Sequence, residues 1–206
     1  MKIIPCIQYS AAWWQAKRGI PSVSCAPKII TAAKGDLSDS AIDYACDLYA
    51  QSITPGDYWL EGLDVQSTAM ANGSIFEGEA RRYLSMLRDC EIPEVGFVLN
   101  DDGTAGCSPD GWYKYEQQQR GVEIKCPNLN THCRYLLEGI LPREYKPQVH
   151  FSLAVTGCEA WDFISYCRNI DPLVVTVWRN SYTDKVATAI QEFAEMYRGV
   201  ARMIQS

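Results

Sequence analysis

Asp110, Glu123 and Lys125 are the residues of this chain whose types and spacing could do hydrolytic chemistry. They lie in GCSPDG at 106–111 and VEIKCP at 122–127, in the order Asp, gap, Glu-x-Lys. Magnesium takes hard oxygen ligands and keeps several waters, so two carboxylates from neighbouring strands are enough to seat it against a phosphate. Glu123 and Lys125 stand two apart in an apolar, β-branched run, so on a strand both side chains leave the same face of the sheet. The carboxylate can then hold a metal while the ammonium sits beside the attacking water. Pro109 and Gly111 bracket Asp110 in a turn, which presents its carboxylate from a loop or strand end. Taken singly, Pro-Asp-Gly is an ordinary turn and Glu-x-Lys an ordinary solvated strand face. Together, with a polar hairpin's length between them, they outline a metal-dependent phosphodiesterase.

The elements that must position these groups read as follows. Short helices are expected over 9–17 and 23–33, broken by Gly19 and Pro21, and a longer one over 39–52 with Ser38 or Asp39 as its cap. Gly35, Pro55 and Gly56 punctuate loops. From Asp64 to about Cys90 the pattern is helical, with Phe76, Ala80, Tyr83, Leu84 and Leu87 on one apolar face and Glu77 at its edge. Strands are expected at 94–99, 104–108, 112–116 and 120–125, with Asp101-Asp102-Gly103 as a hairpin turn. Helices follow at 129–139 and 142–156, the second with Pro142 in its first turn, then strands at 160–167 and 173–178 and a last amphipathic helix over about 182–204. Helices on both sides of a run of strands give an α/β sandwich with a central mixed sheet.

A chain of 206 residues, 47% hydrophobic, suits one domain over 1–206: a helical part to about 90, a sheet core over about 91–180, and the C-terminal helix. No apolar run approaches the length that spans a bilayer, and MKIIPCIQYS turns polar too soon for a signal peptide, so a cytoplasmic protein is expected. Nine cysteines without a C-x-x-C pair, and only two histidines, indicate neither a zinc site nor a disulfide framework, but reduced and mostly buried thiols. A net charge of −6 runs against the general rule for nucleic-acid binders, whose affinity comes mainly from Lys and Arg on phosphate. Net charge is a poor proxy for a local field, however, and a cleft can be basic while the outer surface is acidic.

Four further blocks extend the pattern: WWQAKRGIPSVS at 13–24, AMANGSIFEGEARRYL at 69–84, YKPQVHFSLAVTG at 145–157 and WDFISY at 161–166. With these in order around the Asp and Glu-x-Lys strands, the chain resembles the lambda-exonuclease-like (YqaJ-type) viral recombinases, alkaline exonucleases of the PD-(D/E)XK nuclease superfamily. The resemblance implies a restriction-endonuclease-like core. It implies a Mg²⁺-dependent (Mn²⁺ substituting) 5′ to 3′ exonuclease that degrades linear double-stranded DNA and leaves 3′ overhangs for phage-type recombination. It further implies a homotrimeric ring and a single-strand-annealing partner. Asp110, Glu123 and the backbone carbonyl of Ile124 would hold one metal, with Glu77 near a second. Lys125 would orient or deprotonate the nucleophile, and Gln148 would help fix it or the phosphate.

Lys17 takes the place of the family's arginine, Arg18 follows it, and Ser24 fits the family's serine, so Ser24 with Lys17 or Arg18 is the expected receptor for a 5′-phosphate. Their alternative is a solvated cation pair at a helix end. Glu77 and Gln148, read without the resemblance, are ordinary solvent-facing helical residues. His150 departs from the family, which has a second glutamine there. It stands about 200 degrees around the helix from Gln148 and is expected to be structural. Cys126 reads as a small residue closing a strand, and Trp13, Trp14, Trp112 and Trp161 as core or interface aromatics. Two other readings are open: a sequence- or structure-specific endonuclease of the same superfamily, and a catalytically silent DNA-end-binding module.

Overall fold

The structure, a computed structural model, describes residues 1–54 and 68–205, with side chains from Phe76 onward in the second stretch. The loop expected at Pro55 and Gly56 and the helix start expected at Asp64 lie outside the described residues. The chain opens with strand β1 (Lys2–Ile4) and helix α1 (Ala11–Lys17). Ser10 caps α1, its hydroxyl accepting from the Trp13 N–H, and thereby satisfies one of the helix's free N-terminal donors. A 3₁₀ turn at Val23–Cys25 leads into the single turn of α2 (Ala26–Ile29), followed by α3 (Ala41–Ile53) and α4 (Thr68–Arg88). Strands β2 (Phe97–Leu99), β3 (Gly106–Cys107), β4 (Gly111–Tyr115) and β5 (Gln118–Lys125) come next, then α5 (Leu129–Glu138) and α6 (Lys146–Thr156). Strands β6 (Ala160–Ser165) and β7 (Leu173–Trp178) and helix α7 (Ser181–Gln205) complete the order. Among the described residues no helix is long and apolar enough to cross a membrane.

The described strands make two sheets. One is antiparallel with order β1-β2-β3; the other runs β4-β5-β6-β7, parallel between β5 and β6 and antiparallel elsewhere. Period-two alternation decides what each face of the mixed sheet meets. Val122, Ile124 and Ile164 pack with Ala80 and Leu84 of α4. Trp161 and Phe163 pack instead with Val149 and Leu153 of α6 and Phe193 of α7. The result is a helix–sheet–helix sandwich, the fold class expected from the element order. Gly121 is required where Trp161 crosses β5, because a Cβ there would lie 2.2 Å from the indole ring. Gly157 ends α6 in the left-handed region, at φ 70°.

Several local expectations shift. Strand β1 went unpredicted, because three residues carry too little periodicity to announce a partner such as β2, nearly a hundred residues away. The helix expected over 142–156 starts at Lys146, after a 3₁₀ turn at Arg143–Tyr145. Pro147, having no N–H and clashing with the carbonyl four residues back, tolerates only a helix's first turn, so the helix cannot run through it from 142. The segment expected as helix over 23–33 leaves helical geometry at Ile30, which turns extended and bridges Leu37. The N-cap of α3 is Ser40 instead of Ser38 or Asp39. Leu87, placed on the apolar face of α4, is 53% exposed, while Arg88 reaches the sheet.

Candidate active site

Strand β5 aims Glu123 and Lys125 at α6 because Val122 and Ile124, the alternate residues, are buried against α4. The Glu123 carboxylate is buried, and its Oε1 receives both the Lys125 ammonium and the Gln148 amide of α6, each at 2.5 Å. Asp110 stands immediately before β4. Its N–H pairs with the Val122 carbonyl at 2.9 Å, so it already belongs to the strand ladder and not to an isolated turn. Its Oδ2 accepts from the Ile124 N–H at 2.6 Å, which ties the two halves of the Asp and Glu-x-Lys pattern together through Ile124. Burial first, then the negative charges of Glu123 and Glu77, push the Asp110 carboxyl well above the usual carboxylate range, against the pull of Lys125. Burial also raises Glu77, with Lys125 and Arg81 working the other way. Burial alone would lower the Lys125 ammonium, but Glu123 and Asp110 outweigh it and hold it above the ordinary lysine range. Lys125 is thus kept charged.

Glu77, Asp110, Gln8, Tyr9, Arg81 and Glu94 line a cleft of about 260 Å³. Arg81, one turn after Glu77 on α4, donates from Nε to the Asp110 carbonyl at 2.7 Å and pairs with Glu94 at 2.5 Å. Gln8 donates to the carbonyls of Val95 at 2.9 Å and Pro109 at 2.8 Å, and the Trp13 indole donates to Ser108 at 2.7 Å. Gln8 and Trp13 from the N-terminal segment and Arg81 from α4 clamp the segment before β4 and so fix where Asp110 points. Gln8 and Arg81 were not picked out from sequence, and Trp13 only as a core or interface aromatic. The i, i+4 spacing of Glu77 and Arg81 was the one signal available; Gln8 and Trp13 act across about a hundred residues and carried none.

Gln148 and His150 diverge as helical rotation requires. His150 is buried, bonded through Nδ1 to the Thr183 hydroxyl at 2.8 Å and packed on Tyr182. Burial lowers its pKa to about 4, so it stands neutral in a structural setting. Burial likewise pushes the Cys126 thiol up to about 12, which removes the thiolate that nucleophilic chemistry needs.

The expected 5′-phosphate receptor separates into two environments. Lys17 and Ser24 line a cavity of about 330 Å³ together with Trp14, Ser22, Lys28 and Tyr44. The Lys17 ammonium lies 4.0 Å from the centre of the Trp13 ring, and burial lowers its pKa to about 8. Arg18 does not line this cavity. Its guanidinium donates to the carbonyls of Gln51 (2.9 Å), Ser52 (3.2 Å) and Thr54 at the end of α3, where a helix leaves its last carbonyls unpaired. Of the two expected cations, Lys17 and not Arg18 shares a cavity with Ser24, and Lys28 lines the same cavity.

Among the described residues no cluster of three or more His, Cys, Asp or Glu side chains is gathered closely enough to hold a metal by itself. Two carboxylates and a backbone carbonyl are nonetheless the hard-oxygen set that magnesium accepts while keeping waters. Burial first, and then the negative charges of Glu123 and Glu77, raise the Asp110 carboxyl, and a divalent cation would neutralise those charges.

No curated protein sequence matches the chain. Among solved structures it resembles the alkaline exonuclease LHK-Exo from Laribacter hongkongensis, at 23% identity over 95% of this chain and 96% of that one, with a TM-score of 0.77. The LHK-Exo complex with dAMP matches at 23% identity over 95% and 98% of the two chains, TM-score 0.71. A phage-related exonuclease from Haemophilus somnus 129PT matches at 12% identity over 90% and 96%, TM-score 0.63. At such identities the likeness shows the fold. The sequence profile of the YqaJ-like viral recombinase domain, by contrast, matches residues 12–159, well over half of the chain, and the protein belongs to that family.

Proposed function

We propose that the protein is a magnesium-dependent 5′ to 3′ exonuclease that degrades linear double-stranded DNA and leaves 3′ overhangs. The observation that carries this reading is the gathering of Asp110, Glu123 and Glu77 around one charged lysine, Lys125, beside the Gln148 amide. Membership of a recombinase family whose fold is shared with alkaline exonucleases supports it. Asp110, Glu123 and the Ile124 carbonyl would hold the metal, with Glu77 toward a second. Once bound, it would polarise the scissile phosphate and acidify a water. Lys125, held protonated by Glu123 and Asp110 while these carboxylates carry no metal, would orient or deprotonate the nucleophile and stabilise charge. Gln148 restrains the Glu123 carboxylate and offers its amide to the nucleophile or the phosphate. Lys17 and Ser24 receive the terminal 5′-phosphate, a group with more charge than an internal diester.

The same reading includes a homotrimeric ring, a single-strand-annealing partner for the overhang, and action in the cytoplasm of a bacterial host. Incubation with Mg²⁺ and linear duplex, closed circular duplex or single strand separates the possibilities. Mononucleotides released from the 5′ ends of linear duplex, with circles left intact, are the expected result. Cut circles would establish an endonuclease, and no cleavage of any substrate a silent end-binding module.

A further inference from the structure

Tyr9 lines the catalytic cleft and has no task in the chemistry described above. Its backbone sits in the left-handed region at φ 65°, which favours glycine, and an aromatic residue held there is strained. Such strain persists where its surroundings enforce it, and it collects at functional sites. Here the enforcing neighbour is Gln8, whose amide bonds to Val95 and Pro109 lock the chain beside Tyr9 against the segment that ends in Asp110.

The left-handed turn places the Tyr9 side chain over the cleft, where it is 57% exposed. Its ring rests on Trp13 at a centroid distance of 5.0 Å, and Trp13 is itself buried and bonded to Ser108. The hydroxyl feels the charges of Glu77, Asp110, Lys125 and Glu123, yet makes no hydrogen bond to any described residue. It is a neutral donor on a fixed platform, in a cleft whose lining includes the carboxylates of Glu77, Glu94 and Asp110.

A neutral donor suits that position. A lysine or arginine there would pair with Glu77 and Asp110 and compete with any cation they hold, whereas a phenol can give a proton bond to a phosphate and leave the carboxylates their charge. We propose that Tyr9 is a substrate-contacting residue of this cleft, its hydroxyl donating a hydrogen bond to a phosphate oxygen of the nucleotide being cut. Charge builds on those oxygens as the phosphate is attacked, so the bond counts for more in the transition state than in the bound ground state.

The inference rests on the nuclease reading, and its test separates the two. Mononucleotide release from linear duplex is followed for the unmutated protein, Tyr9→Phe and Tyr9→Gly, each first checked by thermal unfolding. Tyr9→Phe should lower kcat by about 10- to 100-fold, the effect of losing one hydrogen bond to a charged group, and leave KM for the duplex within about twofold. Tyr9→Gly, which relieves the backbone strain but lacks the hydroxyl, should lose as much. An active unmutated protein whose Tyr9→Phe variant keeps full kcat would overturn the role of Tyr9 and spare the nuclease reading. An unmutated protein that releases no nucleotide would overturn both.

Discussion

Helix α4 brings Glu77 and Arg81 to the cleft, and what secures its far end is a buried ion pair that can be broken selectively. Asp162 on β6 is fully buried; it accepts from Arg88 Nε and Nη2, each at 3.1 Å, from the Thr176 hydroxyl at 2.6 Å, and from the Tyr113 hydroxyl. Arg88→Met keeps the aliphatic stem and removes the charge, leaving a buried carboxylate with two neutral hydroxyl donors. Breaking a buried pair from one side typically costs about 3–5 kcal/mol, because the stranded charge has no water to return to. At roughly 2–4 °C per kcal/mol for a chain of this size, the unfolding midpoint should fall by about 10 °C. Adding Asp162→Asn neutralises the stranded group while keeping an acceptor for Tyr113, and should recover more than half of the loss. Urea unfolding of the two single variants and the double variant closes the cycle. Arg88→Met costing less than about 1 kcal/mol, or no recovery in the double variant, would refute the reasoning. Glu77 lies about three turns along the same helix from Arg88. The single variant should therefore also lose nuclease rate at temperatures where it remains folded, and the double variant should regain it.

Lys125→Ala should lower the rate of cleavage by roughly two to four orders of magnitude with DNA affinity little changed, measured by single-turnover kinetics against binding in Ca²⁺. In metal-free buffer the raised Asp110 carboxyl should make the fold lose stability as pH rises. Between its unfolded and folded pKa values the native state binds the extra proton, so the contribution is fully present below the unfolded value and is lost through the folded one. His150, lowered to about 4 from 6.5, works in the opposite sense below neutrality but contributes equally to Asp110→Asn. The unfolding midpoint of that variant in EDTA should therefore gain on the unmutated protein as pH goes from about 5 to about 8. Lys17→Ala should erase most of a roughly 10- to 100-fold preference for 5′-phosphorylated over 5′-hydroxyl ends. Arg18→Ala should keep that preference and show its effect in thermal stability, since its partners are the carbonyls ending α3.

What the sequence made legible was what repeats at short range. Alternating apolar residues around Glu123 and Lys125 fixed their common face, and the structure joins the Glu123 carboxylate both to Lys125 and to Gln148 of α6. Phe76 to Leu84 marked α4 by the same logic at helical period, but the stretch ended on Leu87, and hydropathy alone could not foresee that the polar Arg88 would turn inward to a buried aspartate. Glu77 and Gln148 came into view only through the family resemblance, since a glutamate or glutamine on an amphipathic helix looks the same whether it faces water or a cleft. Lys17 and Arg18 were indistinguishable as neighbouring cations. The choice between them depends on where α3 ends, more than thirty residues on, and no local pattern reports that. The clamp of Gln8, Trp13 and Arg81 on the Asp110 segment was hidden for the same reason: each bond joins elements far apart in the chain and uses a residue type with many other employments.

Mononucleotide release from a 5′-phosphorylated linear duplex, by the unmutated protein and by Asp110→Ala and Glu123→Ala, tests the central claim most directly when run with Mg²⁺, with Ca²⁺ and with EDTA. Release by the unmutated protein in Mg²⁺ is expected, with none in EDTA or Ca²⁺, because the larger ion takes more ligands and positions water poorly for attack. Both Ala variants should be folded, as judged by circular dichroism, and inactive in every condition. Turnover in EDTA, or near-normal turnover in Mg²⁺ by either folded variant, would contradict the assignment of Asp110 and Glu123 as the carboxylates of a metal-dependent nuclease.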